Sequence, residues 1–508
     1  MKSTGYKNVT RAAAAIAVML LFSACGQKDE STTMPAAAKR EATVTTEVPI
    51  TTSSEEARKL YLEGRGLLDD LHFVDAHDKF VQATEKDPDF AMGHLMVATT
   101  SLSVEEFFDS VGKASAAAAG ASDGEQLYIE VLVAGSENNQ AAQLAALKKL
   151  VAAYPKDART HMRLGNFLNG QQDFAGAAEH FTHATQLNPE FAGAYNSLGY
   201  AYRSLDDLEQ AKAAFEKYVE LLPNEANPQD SYAELLMEMG NYGESIEHYQ
   251  MAVDIDPNFS SAYAGISTNY SLMGESERAQ EAADQMLAVA RVFAERQNAL
   301  FQSATSHLFA GDIDAAMKVC ETIASEAEVA GDHSAVAGAH EYMGDVMLNT
   351  GDAAKAEEHF AAALEHRQQA DINDANKAQA QRAYTFKTAI AAMIAEDAEA
   401  AAARTAEYTA AAEANGTAFE RRRIHALAGY LAMSNDDMAA GAEHLAQASQ
   451  FNPVVLYWSA VAHNAIGNKD KAMDLASRAA NRNTLSANLP FVRAKAMKLL
   501  EELNAGEV

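Results

Sequence analysis

The chain contains 508 residues, 48% of them hydrophobic, and is long enough to bury a large core. Acidic residues number 71 against 40 basic residues, so the formal net charge is −31 at pH 7. Such a charge argues against nucleic acid and anionic lipid headgroups as general partners. Alanine-rich runs such as residues 400–403, with only ten prolines and one tryptophan, favour close-packed helices. The chain is therefore predicted to be all-α.

The N-terminus has the pattern of a signal peptide. Two lysines and an arginine form a cationic start, an apolar run follows over residues 12–22, and two small residues stand at 23 and 24. The apolar run is shorter than the roughly 20 residues that a transmembrane helix needs. We therefore predict a cleaved signal peptide over residues 1–24.

The segment Leu-Phe-Ser-Ala-Cys-Gly, residues 21–26, resembles the lipobox of bacterial lipoproteins. The resemblance implies that the Cys25 thiol is acylated and that Cys25 becomes the new N-terminus. It implies a lipid-anchored protein of the bacterial cell envelope. In a Gram-negative host it implies the periplasmic face of the outer membrane, because Gly26 stands where inner-membrane lipoproteins have aspartate. An ordinary signal peptide with an incidental cysteine is the alternative.

Residues 25–54 follow the signal peptide and begin with the lipidation site. They are rich in Thr, Ser, Ala and Pro and lack large apolar side chains at helical spacing. We predict that they form a disordered tether for the exported body.

A period of 34 residues dominates the next part of the chain. Four prolines are each 34 residues apart, namely Pro155, Pro189, Pro223 and Pro257. Other residues recur at matched places: Gly165 and Gly199; Ala177 and Ala211; Phe181, Phe215 and Tyr249; and, in a first unit, Ala76, Phe80, Ala83 and Pro88. Small residues let two helices approach, aromatic rings fill the space between units, and proline stops the second helix.

This period resembles the tetratricopeptide repeat, a unit of two antiparallel helices that stacks into a solenoid. The resemblance covers residues 55–290 as a regular array and residues 291–486 as longer, divergent helix pairs. Residues 487–508 are predicted to form a capping helix and tail. The expected fold is an α-solenoid, a right-handed superhelix of about twelve helix pairs. A generic helical bundle is the alternative.

Residues suited to catalysis or metal binding form no recognisable motif. His180 and His183 lie three apart on one predicted helix without a third ligand, so a solvated helix face is favoured over a metal site. His340 is followed by glutamate but lacks the second histidine of the zinc-protease pattern. Cys320 is interpreted as a small apolar filler and not as a redox group. We predict no enzyme activity, no metal and no cofactor.

The resemblance also implies where a partner binds. In tetratricopeptide arrays the first helix of each unit lines the concave surface, and residues beside the small glycine position point into the groove. Carried onto this sequence, these positions are Arg159, Arg163, Asn166, Asn169, Asn196, Tyr200, Arg203 and Thr268. Asparagine pairs with donors and acceptors of a peptide backbone, and arginine holds a carboxylate through two bonds. A plain solvated groove is the alternative.

Together these patterns predict a protein-interaction scaffold of the cell envelope that binds a peptide or protein partner on its concave surface. Its membrane contact is through the N-terminal lipid, and no nucleic acid partner is expected. An envelope receptor for a small molecule or glycan is the alternative. That alternative requires an aromatic pocket within residues 290–420.

Overall fold

The structure is a computed structural model that describes residues 47–101, 104–137, 139–372, 374–483 and 488–505. These residues fold into twenty-five α-helices joined by short turns, which confirms the all-α prediction. None of these helices is both long and apolar enough to cross a membrane. The predicted signal peptide, the lipidation site Cys25 and the tether up to residue 46 lie outside the described residues.

The helices fall into two compact units. Unit 1 ends at Asn224 and unit 2 begins at Glu225, so the division lies inside the stretch predicted as one regular array. The helices of unit 1 are α1 (Glu55–Asp69), α2 (Phe73–Lys86), α3 (Ala91–Thr99), α4 (Val104–Ala117), α5 (Asp123–Ser136), α6 (Gln140–Ala153), α7 (Ala158–Gly170), α8 (Phe174–Leu187), α9 (Ala192–Ser204) and α10 (Leu208–Leu221).

Unit 2 contains longer helices in its middle part. Its helices are α11 (Ala226–Glu238), α12 (Tyr242–Ile255), α13 (Ser260–Met273), α14 (Ser276–Val289), α15 (Phe293–Phe309), α16 (Ile313–Ala330), α17 (His333–Thr350), α18 (Ala353–Gln369), α19 (Asp374–Ile394), α20 (Ala398–Asn415), α21 (Ala418–Ser434), α22 (Met438–Leu445), α23 (Pro453–Ala465), α24 (Lys469–Asn481) and α25 (Leu489–Ala505). Helix α11 has 13 residues, whereas α15 has 17 and α19 has 21.

Consecutive helices pack as pairs, from α1 with α2 to α23 with α24. Five of these pairs belong to unit 1 and seven to unit 2. The prediction of about twelve helix pairs is thereby confirmed for the described residues. The last helix, α25, packs against α23 and α24 as a cap does.

The turns follow directly from the sequence. Pro155, Pro189 and Pro223 each stand two residues after the last residue of α6, α8 and α10, because proline cannot continue the helical hydrogen-bond ladder. In six of the pairs, the second helix begins at an aspartate whose side chain caps it. The Asp173 carboxylate, for example, accepts a hydrogen bond from the N–H of Gly176 at 3.0 Å.

Glycine is required where the two helices of a pair cross. A Cβ added at Gly165 would lie 2.6 Å from Cε1 of Phe181, and one added at Gly344 would lie 2.4 Å from Cε1 of Phe360. Each ring comes 16 positions after its glycine. The absent side chain therefore lets the backbone touch the ring, as the spacing of small and aromatic residues predicts.

Candidate partner-binding face

An extended segment, residues 47–54, crosses the starts of three first helices of unit 1, and we call it the strap. Its backbone N–H groups donate to three carboxylates: Val48 N to Asp157 Oδ2 at 3.0 Å, Thr51 N to Glu125 Oε1 at 2.7 Å, and Ser53 N to Asp87 Oδ2 at 2.9 Å. All three carboxylate residues are buried. These eight residues are the last part of the segment predicted as a tether, and buried acceptors hold them in place.

Two of these carboxylates, those of Asp157 and Glu125, use one oxygen to cap a helix and the other to bind the strap. Asp157 caps α7 by accepting from Arg159 N at 2.9 Å through Oδ1, and its Oδ2 is left for the strap. Glu125 closes a capping box at α5, where its Oε2 accepts from Ser122 N at 2.7 Å, and Oε1 is left for the strap. The same groups that fix the helix starts therefore bind an extended backbone.

Asp87 makes the densest of these contacts. Its Oδ2 accepts from Thr52 Oγ1 at 2.5 Å and from the N and Oγ atoms of Ser53 at 2.9 and 3.1 Å. The Thr52 hydrogen bond, helped by those of Ser53, holds the pKa of Asp87 below its ordinary value. The ionised carboxylate is therefore the form that binds the strap.

Two of the predicted partner-binding residues already have partners inside unit 1. Arg159 forms an ion pair with Asp69 at the end of α1. The guanidinium carbon of Arg163 lies 4.8 Å from the ring centroid of Tyr128, and its Nη2 donates to the Met96 sulfur at 3.7 Å. Both arginines thus join first helices of unit 1 to one another. A repeat position indicates the face of a helix but not what covers that face.

The other predicted positions of unit 1 are less enclosed. Asn166 is exposed on α7, and Asn169 is half-buried one turn further on. On α9 the ring of Tyr200 packs edge-on against Phe215, with centroids 5.1 Å apart, and the guanidinium of Arg203 lies 4.8 Å from the Tyr200 centroid. Of the eight predicted residues, Asn166 is the one with an exposed side chain.

Two buried polar atoms on this face have no hydrogen-bond partner among the described residues. They are Nε of Arg159 and Oδ1 of Asn196. A buried polar atom without a partner costs about 1–3 kcal/mol. These atoms belong to α7 and α9, which are first helices in contact with each other.

Thr268 belongs to unit 2 and is buried on α13. Its hydroxyl donates to Ala264 O at 2.9 Å and accepts from Gln302 Nε2 at 3.2 Å. These internal hydrogen bonds satisfy the side chain. The predicted set is therefore divided, with seven residues in unit 1 and one in unit 2.

The C-terminal segment of unit 2 contacts α11 and α12, the two helices at the start of that unit. Asn483 Nδ2 donates to Glu238 O at 3.5 Å, and Arg493 Nη2 donates to Tyr242 Oη at 3.3 Å. Phe491 packs against the apolar cluster of α15, α16 and α17. Helix α25 is thus more than the cap that the sequence predicts. No sequence signal indicates this return, because the paired residues lie 245 and 251 positions apart.

The residues considered for metal or redox chemistry lie as follows. Cys320 is fully buried, and burial raises the pKa of its thiol to about 12, which fits an apolar filler. His180 and His183 both face His161 of the neighbouring helix, with ring centroids 5.3 and 5.1 Å from it. Among the described residues, no three His, Cys, Asp or Glu side chains are grouped to hold a metal ion.

A cavity of about 580 Å³ lies between α4, α5 and α6 in unit 1. Alanines line much of it, with Gln126, Glu130 and Lys149 as polar groups and no aromatic ring. A receptor for a small molecule or glycan was expected to have an aromatic pocket within residues 290–420. This cavity differs from that expectation in place and in composition.

Comparison with known proteins identifies the repeat. A model of the tetratricopeptide repeat matches residues 192–225 and 230–259. Hsp70-Hsp90 organizing protein 1 of Glycine max is 30% identical over 112 residues, 22% of this chain and 20% of that protein. Formate-dependent nitrite reductase complex subunit NrfG of Escherichia coli O157:H7 is 28% identical over 124 residues, 24% of this chain and 63% of that protein. The chain spans less than two thirds of the length of the curated relatives it matches.

Among solved structures, a tetratricopeptide repeat protein from Parabacteroides merdae ATCC 43184 matches with a TM-score of 0.34 and 15% sequence identity, over 53% of this chain and 92% of that one. Tetratricopeptide arrays are in general protein-interaction scaffolds, and the family is typically non-catalytic. The matched model shows that residues 192–225 and 230–259 are tetratricopeptide repeats, and the proline-terminated helix pairs and the contacts between glycine and aromatic residues are typical of that repeat.

Proposed function

We propose that the protein is a cell-envelope scaffold whose unit 1 binds an extended segment of a partner protein along its first helices. The single observation that carries the proposal is that unit 1 holds an extended segment of its own chain, the strap, through carboxylates at the starts of first helices. The backbone of a partner segment supplies N–H donors of the same kind. The proposed contact residues of unit 1 are Arg159, Arg163, Asn166, Asn169, Asn196, Tyr200 and Arg203, whereas Thr268 of unit 2 is buried with internal partners and is not part of the proposed site.

The strap supports a peptide as the occupant. Unit 1 already holds eight residues of its own chain in extended form. Val48, Thr51 and Ser53 each donate a hydrogen bond from the backbone N–H group. Binding through the backbone depends little on the sequence of the bound segment. The helix starts of this array are therefore suited to extended chains as a class.

The envelope location rests on the sequence of the first 26 residues. A cationic start, a short apolar run and the lipobox-like residues around Cys25 support export and lipid anchoring. A Cys25→Ser variant should lose incorporation of radiolabelled palmitate and leave the membrane fraction. Retention of the label would refute the anchor and leave the repeat fold untouched.

The groove is tested by photo-crosslinking in native membranes. A photoreactive amino acid at position 166 of the full chain should give one discrete adduct with an envelope protein, because Asn166 is exposed on the proposed face. The same group at position 186 is the control, since Gln186 is exposed on α8, a second helix. Adding Asn169→Ala and Arg203→Glu should reduce the adduct at 166 at least tenfold.

A matched variant controls for the change in amide groups and charge. Gln186→Ala with Lys156→Glu removes one amide and reverses one cation, as the groove variant does, and both residues are exposed in unit 1. This variant should keep the adduct at position 166. Equal adducts from positions 166 and 186, or equal losses in the two variants, would contradict binding on the first helices.

A further inference from the structure

A pair of facing histidines recurs at one position of the repeat. The Nδ1 atoms of His161 and His180 are 3.1 Å apart, those of His340 and His359 are 3.1 Å apart, and those of His425 and His444 are 3.3 Å apart. In each pair the first histidine stands four residues before the glycine of the helix crossing. The second stands immediately before the side chain that covers that glycine. The contact that brings the helices together therefore also brings the two imidazoles together.

One repeat of unit 2 carries two such pairs. In addition to His340 and His359, the Nδ1 atoms of His333 and His366 are 3.1 Å apart. The rings of His340 and His366 stack, with centroids 6.2 Å apart and planes inclined by 17°. These four half-buried residues, His333 and His340 on α17 and His359 and His366 on α18, form what we call the histidine ladder.

The spacing of the paired nitrogens suits a chelated metal ion. With metal–nitrogen bonds of about 2.0–2.1 Å, two nitrogens 3.1 Å apart subtend an angle of about 100° at the ion, as neighbouring ligands do. Imidazole binds metals in its neutral form.

The surroundings of the ladder carry mixed charge. Glu328 faces His340, and Glu321, Glu358 and Lys355 face His359. Three carboxylates against one ammonium group favour a cation between the helices. The same nitrogen distances also fit a plain hydrogen bond from one Nδ1–H to the other Nδ1, and the experiment below separates the two.

We propose that the histidine ladder binds two divalent transition-metal ions of the class that prefers imidazole, zinc, nickel or copper(II), one on each Nδ1 pair. Two protein ligands leave the other positions of each ion to water, in keeping with the lack of a three-ligand group among the described residues. Each ion would join α17 to α18 and stabilise that repeat.

The test measures zinc bound to the full chain after removal of metal with a chelator. Equilibrium dialysis against zinc chloride, with the metal counted by mass spectrometry, should show two ions fewer per chain in His340→Gln/His366→Gln, which breaks both pairs. His307→Gln/His463→Gln removes two histidines of unit 2 outside the ladder and should bind as the wild type does. His340→Cys/His366→Cys keeps a ligand at each position and should keep the ions.

A result independent of any variant comes from X-ray absorption of the wild type loaded with two zinc ions per chain. Imidazole nitrogens at about 2.0–2.1 Å support chelation, whereas a shell of oxygen alone overturns it. Unchanged zinc binding by the glutamine variant overturns the location at the ladder. If the wild-type protein binds no zinc, a hydrogen bond between the paired Nδ1 atoms accounts for their short distance, and the proposal is overturned.

Discussion

Unit 1 holds the strap through backbone N–H groups, whereas unit 2 holds its C-terminal segment through side chains. The acceptors in unit 1 are buried carboxylates, such as Asp87, at the starts of the helices. In unit 2 the Arg493 guanidinium donates to neutral oxygens, of which Tyr242 Oη and Ala480 O are two, and Phe491 fills an apolar site. The strap is bound by charged acceptors, whereas the C-terminal segment is bound by neutral acceptors and apolar packing, and both attachments join residues far apart in the chain.

This difference shows which attachment another molecule could replace. Almost any residue has a backbone N–H, so an extended segment of unrelated sequence can offer what the strap offers. The segment in unit 2 needs an arginine and an aromatic ring at fixed positions on a folded helix. Unit 1 is therefore the unit with chemistry suited to diverse extended chains, and the predictions below test the two attachments separately.

The largest effect is expected from Leu499→Ala on α25. Leu499 is 8% exposed and packs with Leu475 and Val492, so its truncation should lower the free energy of unfolding of unit 2 by about 2–5 kcal/mol. Denaturant titration followed by the fluorescence of Trp458, the single tryptophan, reports this unit because Trp458 lies on α23.

Met497→Ala on the same helix is the matched control. Met497 is 47% exposed, so its truncation should change the midpoint by less than about 0.5 kcal/mol. Equal effects of the two variants would mean that α25 does not dock on α23 and α24. A loss confined to Leu499→Ala would establish the docked helix as part of the stability of unit 2.

The next effect concerns Asp230 on α11 of unit 2. Burial, followed by the neighbouring charge of Glu234, raises the pKa of Asp230 to about 7. The unfolded chain gives up this proton near pH 4, so the folded state binds more protons between pH 4 and pH 7. Stability should fall as the pH rises through that window, by on the order of 4 kcal/mol from this group.

Asp230→Asn should remove that pH dependence and make unit 2 more stable than the wild type at pH 8. The fluorescence of Trp458 again follows the unfolding. Asp314→Asn changes an exposed aspartate of the same unit and should keep the wild-type profile. The same pH profile in the wild type and in Asp230→Asn would mean that Asp230 is ionised in the folded protein throughout.

The sequence predicts the repeats well because each unit is built from local contacts. The proline that ends α8 and the glycine at 165 that meets the ring of Phe181 lie within one period, so their spacing can be seen along the chain. The proline, the glycine and the aromatic ring all indicate the same helix pair. Fold class and the count of helix pairs therefore follow from the sequence alone.

The attachments of the strap and of α25 could not be predicted in this way. The strap is held by backbone N–H groups, which almost every residue has, and by the hydroxyls of Thr52 and Ser53, so its Thr- and Ser-rich sequence reads as that of a tether. The return of α25 joins Arg493 to Tyr242 across 251 positions, far beyond any repeat. Arg159 and Arg163 were placed on the correct helix, but their internal partners come from other repeats.

A smaller effect is expected from Asp87→Asn in unit 1. The variant keeps an acceptor oxygen but loses the charge that strengthens the bonds from Thr52 and Ser53, which should weaken the strap by about 1.5 kcal/mol. Hydrogen–deuterium exchange of residues 48–54 should become faster. Asp89→Asn, at an exposed neighbouring position, should leave the exchange unchanged. Equal exchange in both variants would contradict attachment through Asp87.

The smallest effect is the response of the wild-type strap to acid. Because hydrogen bonds lower the pKa of Asp87 below 3.8, its contribution to strap binding is complete above that value and is lost as the pH falls through the folded-state pKa. Exchange protection of residues 48–54, corrected for the intrinsic rate, should therefore drop only below pH 3.8. The recorded partners of Arg493, of which Ala480 O and Tyr242 Oη are two, are neutral oxygens, so protection of α25 should persist. If the strap and α25 lose their exchange protection at the same pH, acid unfolds the protein and the two attachments do not differ in chemistry.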